Sequence, residues 1–239
     1  MIKLVQRVRR LQPRIGGKKL YKLLSKDLVN MGVDIGRDKF FDVLGRHNLL
    51  IKRKRKFVNT TQSWHFYHRY KNRLKEKRIS GANQAYASDI TYLRTKKGFV
   101  YLFLQTDMYS RAITGWHLSE SLGIDGAIKA LQMTLKQCPN PQNVIHHSDR
   151  GIQYCCKEYV RILDKHQMII SMTEENHCYE NAMAERVNGI LKQEFLLDQE
   201  FADTQSAFKA VREAIELYNK HRPHWSLALC TPTQIHQAA

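Results

Sequence analysis

Three carboxylates, Asp89, Asp149 and Glu185, stand in local contexts suited to gripping a divalent cation. Thirty-five residues lie between Asp149 and Glu185, and Lys192 follows Glu185 by seven positions. Converging carboxylates repel and raise one another's pKa unless a cation neutralises them. Oxygen-rich sites of this type suit Mg2+ or Mn2+. Two such ions, roughly 3.5–4 Å apart, can activate an attacking oxygen and stabilise a leaving one in phosphodiester displacement. The chain carries a formal net charge of +17. An acidic cluster in so basic a protein implies metal ions meeting phosphates, the chemistry of cutting and joining nucleic acid.

Spacing alone does not select these residues, because Asp164 and Glu200 are also 36 positions apart. Context does. Asp164 falls within a helical pattern, with no strand end or glycine to expose it, whereas Asp149 follows an apolar strand and precedes Gly151. Seven residues after Glu200 comes Ala207, but seven after Glu185 comes Lys192. Positions 185, 188 and 192 share one face of a helix. Glu185 is therefore expected to hold metal, with Asn188 and Lys192 touching the DNA backbone. Asp107 is a candidate fourth carboxylate, but pairing with Arg111 in the adjacent turn is the expected role. His147 is expected to orient Asp149, to contact DNA, or simply to pack.

The elements that must position these residues form an α/β pattern. Ala85–Leu93 alternates, residues 95–98 form a turn, and Phe99–Thr106 and Ala112–Leu118 read as two further strands. A helix follows over 123–137, then a strand over 144–148, a helix over 155–166, a strand over 168–171 and a helix over 181–195. This order describes a mixed sheet flanked by helices, as in ribonuclease H. Asp89 lies within the first strand, Asp149 just past the fourth, and Glu185 near the start of the last helix.

Ahead of this core the character changes. Residues 1–80 carry 23 Lys/Arg and 5 Asp/Glu, and residues 81–239 carry 16 and 17. The positive charge thus belongs to the first third, the footprint of a nucleic-acid-binding arm. Leu20, Leu23, Leu24 and Leu28 recur at helical spacing and Gly32 ends that helix. A second helix over 37–46 buries Phe40, Val43 and Leu44, which makes a helix-turn-helix offering Arg37 and Lys39 to a groove. Lys52-Arg53-Lys54-Arg55-Lys56 follows as a phosphate-binding arm. His65 and His68 have zinc-ligand spacing without a following cysteine pair, so packing or stacking is their expected role. No stretch of about 18 apolar residues predicts a membrane helix, and five cysteines without paired spacing fit a reducing cytoplasm.

Several segments together resemble the catalytic (OrfB) subunit of insertion-sequence transposases of the IS-three type, within the DDE integrase superfamily. They are Asp89-Ile90-Thr91-Tyr92, Asp107-Met108-Tyr109-Ser110-Arg111 through Gly115-Trp116, and His147-Ser148-Asp149-Arg150-Gly151 with Gln153-Tyr154. Further along they are Asn181-Ala182 through Glu185 to Leu191-Lys192, then Tyr218-Asn219, Arg222-Pro223-His224, Ser226-Leu227 and Thr231-Pro232. The resemblance implies a ribonuclease H-like integrase fold, with a helix-turn-helix module and arm over 1–56, a linker over 57–82, the core over 83–200 and a completing C-terminal helix and tail over 201–239. It implies Asp89, Asp149 and Glu185 as catalytic metal ligands for two Mg2+ (or Mn2+) ions. It also implies cleavage at element ends, transfer of the 3′-hydroxyl into another double-stranded DNA, a homo-oligomer on DNA, and an upstream-frame (OrfA) protein or fusion segment as partner. The expected location is the nucleoid in a bacterial cytoplasm. The alternative readings are a non-catalytic DNA-binding regulator of transposition and a ribonuclease H-like nuclease.

Overall fold

The computed structural model describes residues 1–51, 67–174 and 181–238. The first segment forms three helices, α1 (Ile2–Leu11), α2 (Gly17–Asn30) and α3 (Arg37–Arg46). Sequence reading anticipates α2 and α3 but not α1. Its basic face, with Arg7, Arg9 and Arg10, obscures an apolar stripe of Met1, Leu4, Val5 and Val8 that packs on Ile15, Leu20, Leu24, Leu28, Phe40 and Leu44. Gly32 ends α2 in the left-handed region at φ +69°. There the Val33 N–H bonds to Leu28 O and the Gly32 N–H to Val29 O. This double cap needs a residue without Cβ strain.

The core is one mixed sheet of order β3-β2-β1-β4-β5, with a short β6 joined to β1. Strands β1 (Ala85–Thr95), β2 (Gly98–Asp107) and β3 (Ile113–Ser119) run antiparallel. Strands β4 (Ile145–Ser148) and β5 (Ile169–Met172) add in parallel on the other side of β1. The two-residue β6 (Glu200–Phe201) pairs with the far end of β1. Helices α4 (Ile124–Gln137), α5 (Ile152–Cys155) and α6 (Lys157–Lys165) help cover one face, where Phe103, Leu131, Tyr154, Tyr159 and Met172 are buried. Helices α7 (Ala182–Glu194) and α8 (Thr204–His221) cover the other, over Leu93, Leu102, Leu104, Ile190 and Val211. The chain closes with α9 (Pro232–Gln237), begun by a Thr231–Gln234 capping box.

The expected single helix over 155–166 is broken at Cys156, whose backbone is extended (φ −71°, ψ 152°). Asp164 lies inside α6 and Glu200 on β6, so that alternative pair is separated in the fold. Gly115 permits close packing of β3 on α4, since a Cβ there would lie 2.1 Å from Ala130 O.

Candidate active site

Strand β1 touches two parallel neighbours and leaves a gap between them. Its rungs to β4 stop at Ala87–His147, and its rungs to β6 begin at Arg94–Glu200. Asp89 lies in the gap, beyond the last β4 rung, and Asp149 follows the end of β4. Parallel strands diverging at their carboxyl ends make a crevice, the usual place for ligands in such sheets. Helix α7 lies over it. Asn181 Nδ2 donates to Ser88 O at 3.2 Å, satisfying an edge carbonyl that the sheet leaves unpaired.

Asp89 and Asp149 are oriented by this chain's own donors. Asp89 Oδ2 accepts from Asn188 Nδ2 at 2.7 Å and Oδ1 from its neighbour's Ile90 N–H at 2.9 Å. Asp149 Oδ1 accepts from the Gly151 N–H at 3.0 Å. A Cβ at Gly151 would lie 2.9 Å from that oxygen, so a larger residue there would shift the carboxylate on its bond to the loop. Glu185 stands exposed in the first turn of α7.

The charges feel one another. Burial, then the Asp149 charge, pushes Asp89 up to about 7 against the Asn188 and Ile90 hydrogen bonds, with Glu185 adding a little. Glu185 is likewise raised by burial and by Asp149. Asn188 Oδ1 is buried without a hydrogen-bond partner among the described residues. Two hard carboxylates that repel, beside a buried acceptor oxygen, fit a divalent cation of the Mg2+ type. Among the described residues no three His, Cys, Asp or Glu side chains stand close enough to hold one ion. The structure therefore brings Asp89 and Asp149 to one crevice and leaves Glu185 at its rim.

Other expected site residues fall differently. Asn188 is only 5% exposed and turned onto Asp89, so the expected DNA contact is corrected: it orients a carboxylate. Asp107 does not pair with Arg111. It is fully buried and accepts from the N–H groups of Asn83, Tyr109 and Ser110 and from Ser110 Oγ. Those turn amides require an acceptor, whereas the Arg111 guanidinium reaches Met108 O and Met183 Sδ. His147 is fully buried, with Nδ1 2.8 Å from Ser171 Oγ on β5.

Lys192 lies over the Tyr92 ring, 4.4 Å from its centroid, and burial lowers its pKa while the Asp89 and Asp198 charges oppose that. Arg37 and Lys39 are exposed at the start of α3, with Arg37 Nε bonded to Asp38 at 2.8 Å. Lys52, Arg53, Lys54, Arg55 and Lys56, and His65, lie outside the described residues. Sequence reasoning missed Ser88, Gln105 and Asn181 as parts of the site's frame. The available signal was polar side chains at 88 and 105, in positions of strand register otherwise filled by Tyr86, Ile90 and Phe103.

Comparisons with known proteins bear on the fold and the family. The family described as "Integrase core domain" matches residues 80–178, and a second family of the same description matches 166–232. The chain is 35% identical over 211 residues to the "Insertion element IS600 uncharacterized 31 kDa protein" of Shigella sonnei, covering 87% of this chain and 78% of that one. It is 38% identical over 183 residues to "Transposase InsF for insertion sequence IS3A" of Escherichia coli (strain K12), covering 76% of this chain and 64% of that one, less than two thirds of its length. Among solved structures, the HTLV-2 integrase catalytic core domain in complex with magnesium superposes with a TM-score of 0.53 at 20% identity, covering 66% of this chain and 99% of that one. A chain of the simian T-cell lymphotropic virus intasome superposes at 0.58 and 16% identity, covering 94% and 75%. These likenesses show the fold, a ribonuclease H-like integrase core preceded by helices. The chain belongs to the insertion-element transposases of the IS3 family, which carry an integrase core domain and serve DNA transposition.

Proposed function

We propose that this chain is a metal-dependent transposase that cleaves DNA at the ends of its element and joins the resulting 3′-hydroxyl to another strand. Asp89, Asp149 and Glu185 are its catalytic carboxylates. The observation that carries this reading is the pair Asp89 and Asp149 at the fork of β1 and β4, with Asp89 pushed up to about 7 by burial and by its neighbour's charge. So strained an arrangement is relieved by a cation. Bound Mg2+ or Mn2+, one ion or two, supplies Lewis acidity to the attacking and leaving oxygens.

The chain's own groups do the rest. Asn188 and the Ile90 N–H fix the Asp89 carboxylate, and the Gly151 N–H fixes that of Asp149. Glu185, exposed on α7, completes the set by side-chain rotation toward Asp149. Lys192, stacked on Tyr92, offers positive charge to the scissile backbone. Arg37 and Lys39 on α3, with the arm of Lys52, Arg53, Lys54, Arg55 and Lys56, hold double-stranded DNA of the element ends and the target. The partners include a second copy of the chain on DNA and the upstream-frame protein of the element, in the bacterial nucleoid.

The test is Asp149→Asn with a duplex carrying an element end. Mg2+-dependent nicking is expected to fall at least about a thousandfold while retention of the duplex on a gel persists. Nicking at the unaltered rate overturns the assignment.

A further inference from the structure

A closed ring of buried polar side chains lies directly behind the carboxylates. Ser88 Oγ donates to Gln105 Oε1 at 2.6 Å and lies 2.7 Å from His146 Nε2. Gln105 Nε2 donates to Tyr159 OH at 2.9 Å, and that oxygen lies 2.9 Å from the same His146 nitrogen. All four residues are at most 1% exposed. They come from β1, β2, β4 and α6. Burying four polar side chains in one core is costly, and His146 Nδ1 has no hydrogen-bond partner among the described residues, so such a ring fixes geometry rather than adding stability.

Its position says which geometry. The β1–β4 ladder ends at Ala87–His147, and the next residue on β1 is Ser88. Among the described residues the pairing of the two strands ends at that rung, and Asp89 and Asp149 each stand two residues beyond it. The Ser88–His146 contact ties the first β1 residue after the last rung back to a paired residue of β4, and Gln105 and Tyr159 bond to its two ends. Burial holds His146 down to about 3, so the ring stays neutral at physiological pH.

We infer that Ser88, Gln105, His146 and Tyr159 are positioning residues that set the separation of Asp89 and Asp149 and thereby favour Mg2+. The inference rests on the metal-dependent reading above. Mg2+ demands near-ideal octahedral geometry with bonds of about 2.0–2.1 Å, so it is the ion most sensitive to a carboxylate out of place. Mn2+ supports the same chemistry with more tolerance.

Ser88→Ala and Tyr159→Phe each remove one oxygen from opposite corners of the ring. In the full chain without DNA, the Mg2+ concentration that half-maximally raises the melting temperature is expected to increase roughly tenfold to a hundredfold in both variants. The Mn2+ midpoint moves much less, and metal-free duplex binding stays at the unaltered level. An unchanged Mg2+ midpoint in both variants overturns the inference. So does an equal loss for Mg2+ and Mn2+ that follows the fall in metal-free melting temperature, which marks the ring as packing alone. Should Ser88→Ala not fold, Tyr159→Phe decides. Failure of the underlying reading looks different: the unaltered chain itself shows no divalent response, and Asp149→Asn nicks DNA normally.

Discussion

Asp89 and Asp107 are the same residue type on adjacent strands, and the fold treats them in opposite ways. Asp107 closes β2 fully buried with four donors aimed at it. Burial alone would raise its pKa, but the surrounding donors outweigh that and lower it. The largest of the lowering influences is His236, whose Nδ1 lies 3.9 Å from Asp107 Oδ1 and 3.0 Å from Ser110 Oγ. Asp89 faces another carboxylate and is pushed up to about 7. A buried acid surrounded by donors holds a turn together. A half-buried acid left beside a like charge is kept ready for a ligand.

The largest way to separate them is chemical. Asp89→Asn is expected to abolish Mg2+-dependent nicking, by a factor of about a thousand or more, while Asp107→Asn keeps activity at low temperature. A single-turnover assay on the two variants decides, and comparable losses would erase the contrast. Second in size is stability. Asp107→Asn removes charge-assisted bonds to several amides and is expected to cost about 2–3 kcal/mol, lowering the melting temperature by roughly 5–10 °C.

The pH dependence should run in opposite senses. Asp89 has a raised folded-state pKa, so its penalty is absent in acid and grows as pH rises from its unfolded value of 3.8 to about 7. Metal-free Asp89→Asn should therefore melt higher than the unaltered chain at pH 8 and show little difference at pH 4, with Mg2+ closing the gap. Asp107 has a lowered folded-state pKa, so its contribution is present above 3.8 and is lost as pH falls through the folded value. The Asp107→Asn deficit should shrink in acid. Parallel pH profiles for the two variants would refute the assignment. The smallest effect is expected from Lys192→Ala, which should reduce the salt slope of duplex binding by about one counterion.

Much of this contrast was legible in the sequence. The alternation of β1, the apolar run of β2 and the glycine after Asp149 place Asp89 on a strand and Asp149 at a strand end, where the structure has them. Distances across the fold were not. A helical projection puts Asn188 on the face of Glu185, but cannot say that this face meets β1, so a buried orienting amide read as a DNA contact. Asp107 beside Arg111 invites an ion pair by proximity, yet the turn amides claim the carboxylate first. Helix α1 hid its apolar stripe among arginines, and β6 is too short, at two residues, to leave a pattern. The ring behind the site joins residues up to 71 positions apart, a relation that no local periodicity encodes.

The N-terminal module touches the core through partners that arrive late in synthesis. Gln12 Nε2 donates to His221 O, 209 residues away, and the Arg14 N–H donates to Glu194 O. At about 5–20 residues per second on the ribosome, Gln12 waits roughly 10–40 s for its acceptor to be made. The three helices have their own small apolar core and can form meanwhile. The three basic helices are thus made well before the residues that tie them to the sheet domain, so that a chain released between the two keeps those helices without the junction that anchors them.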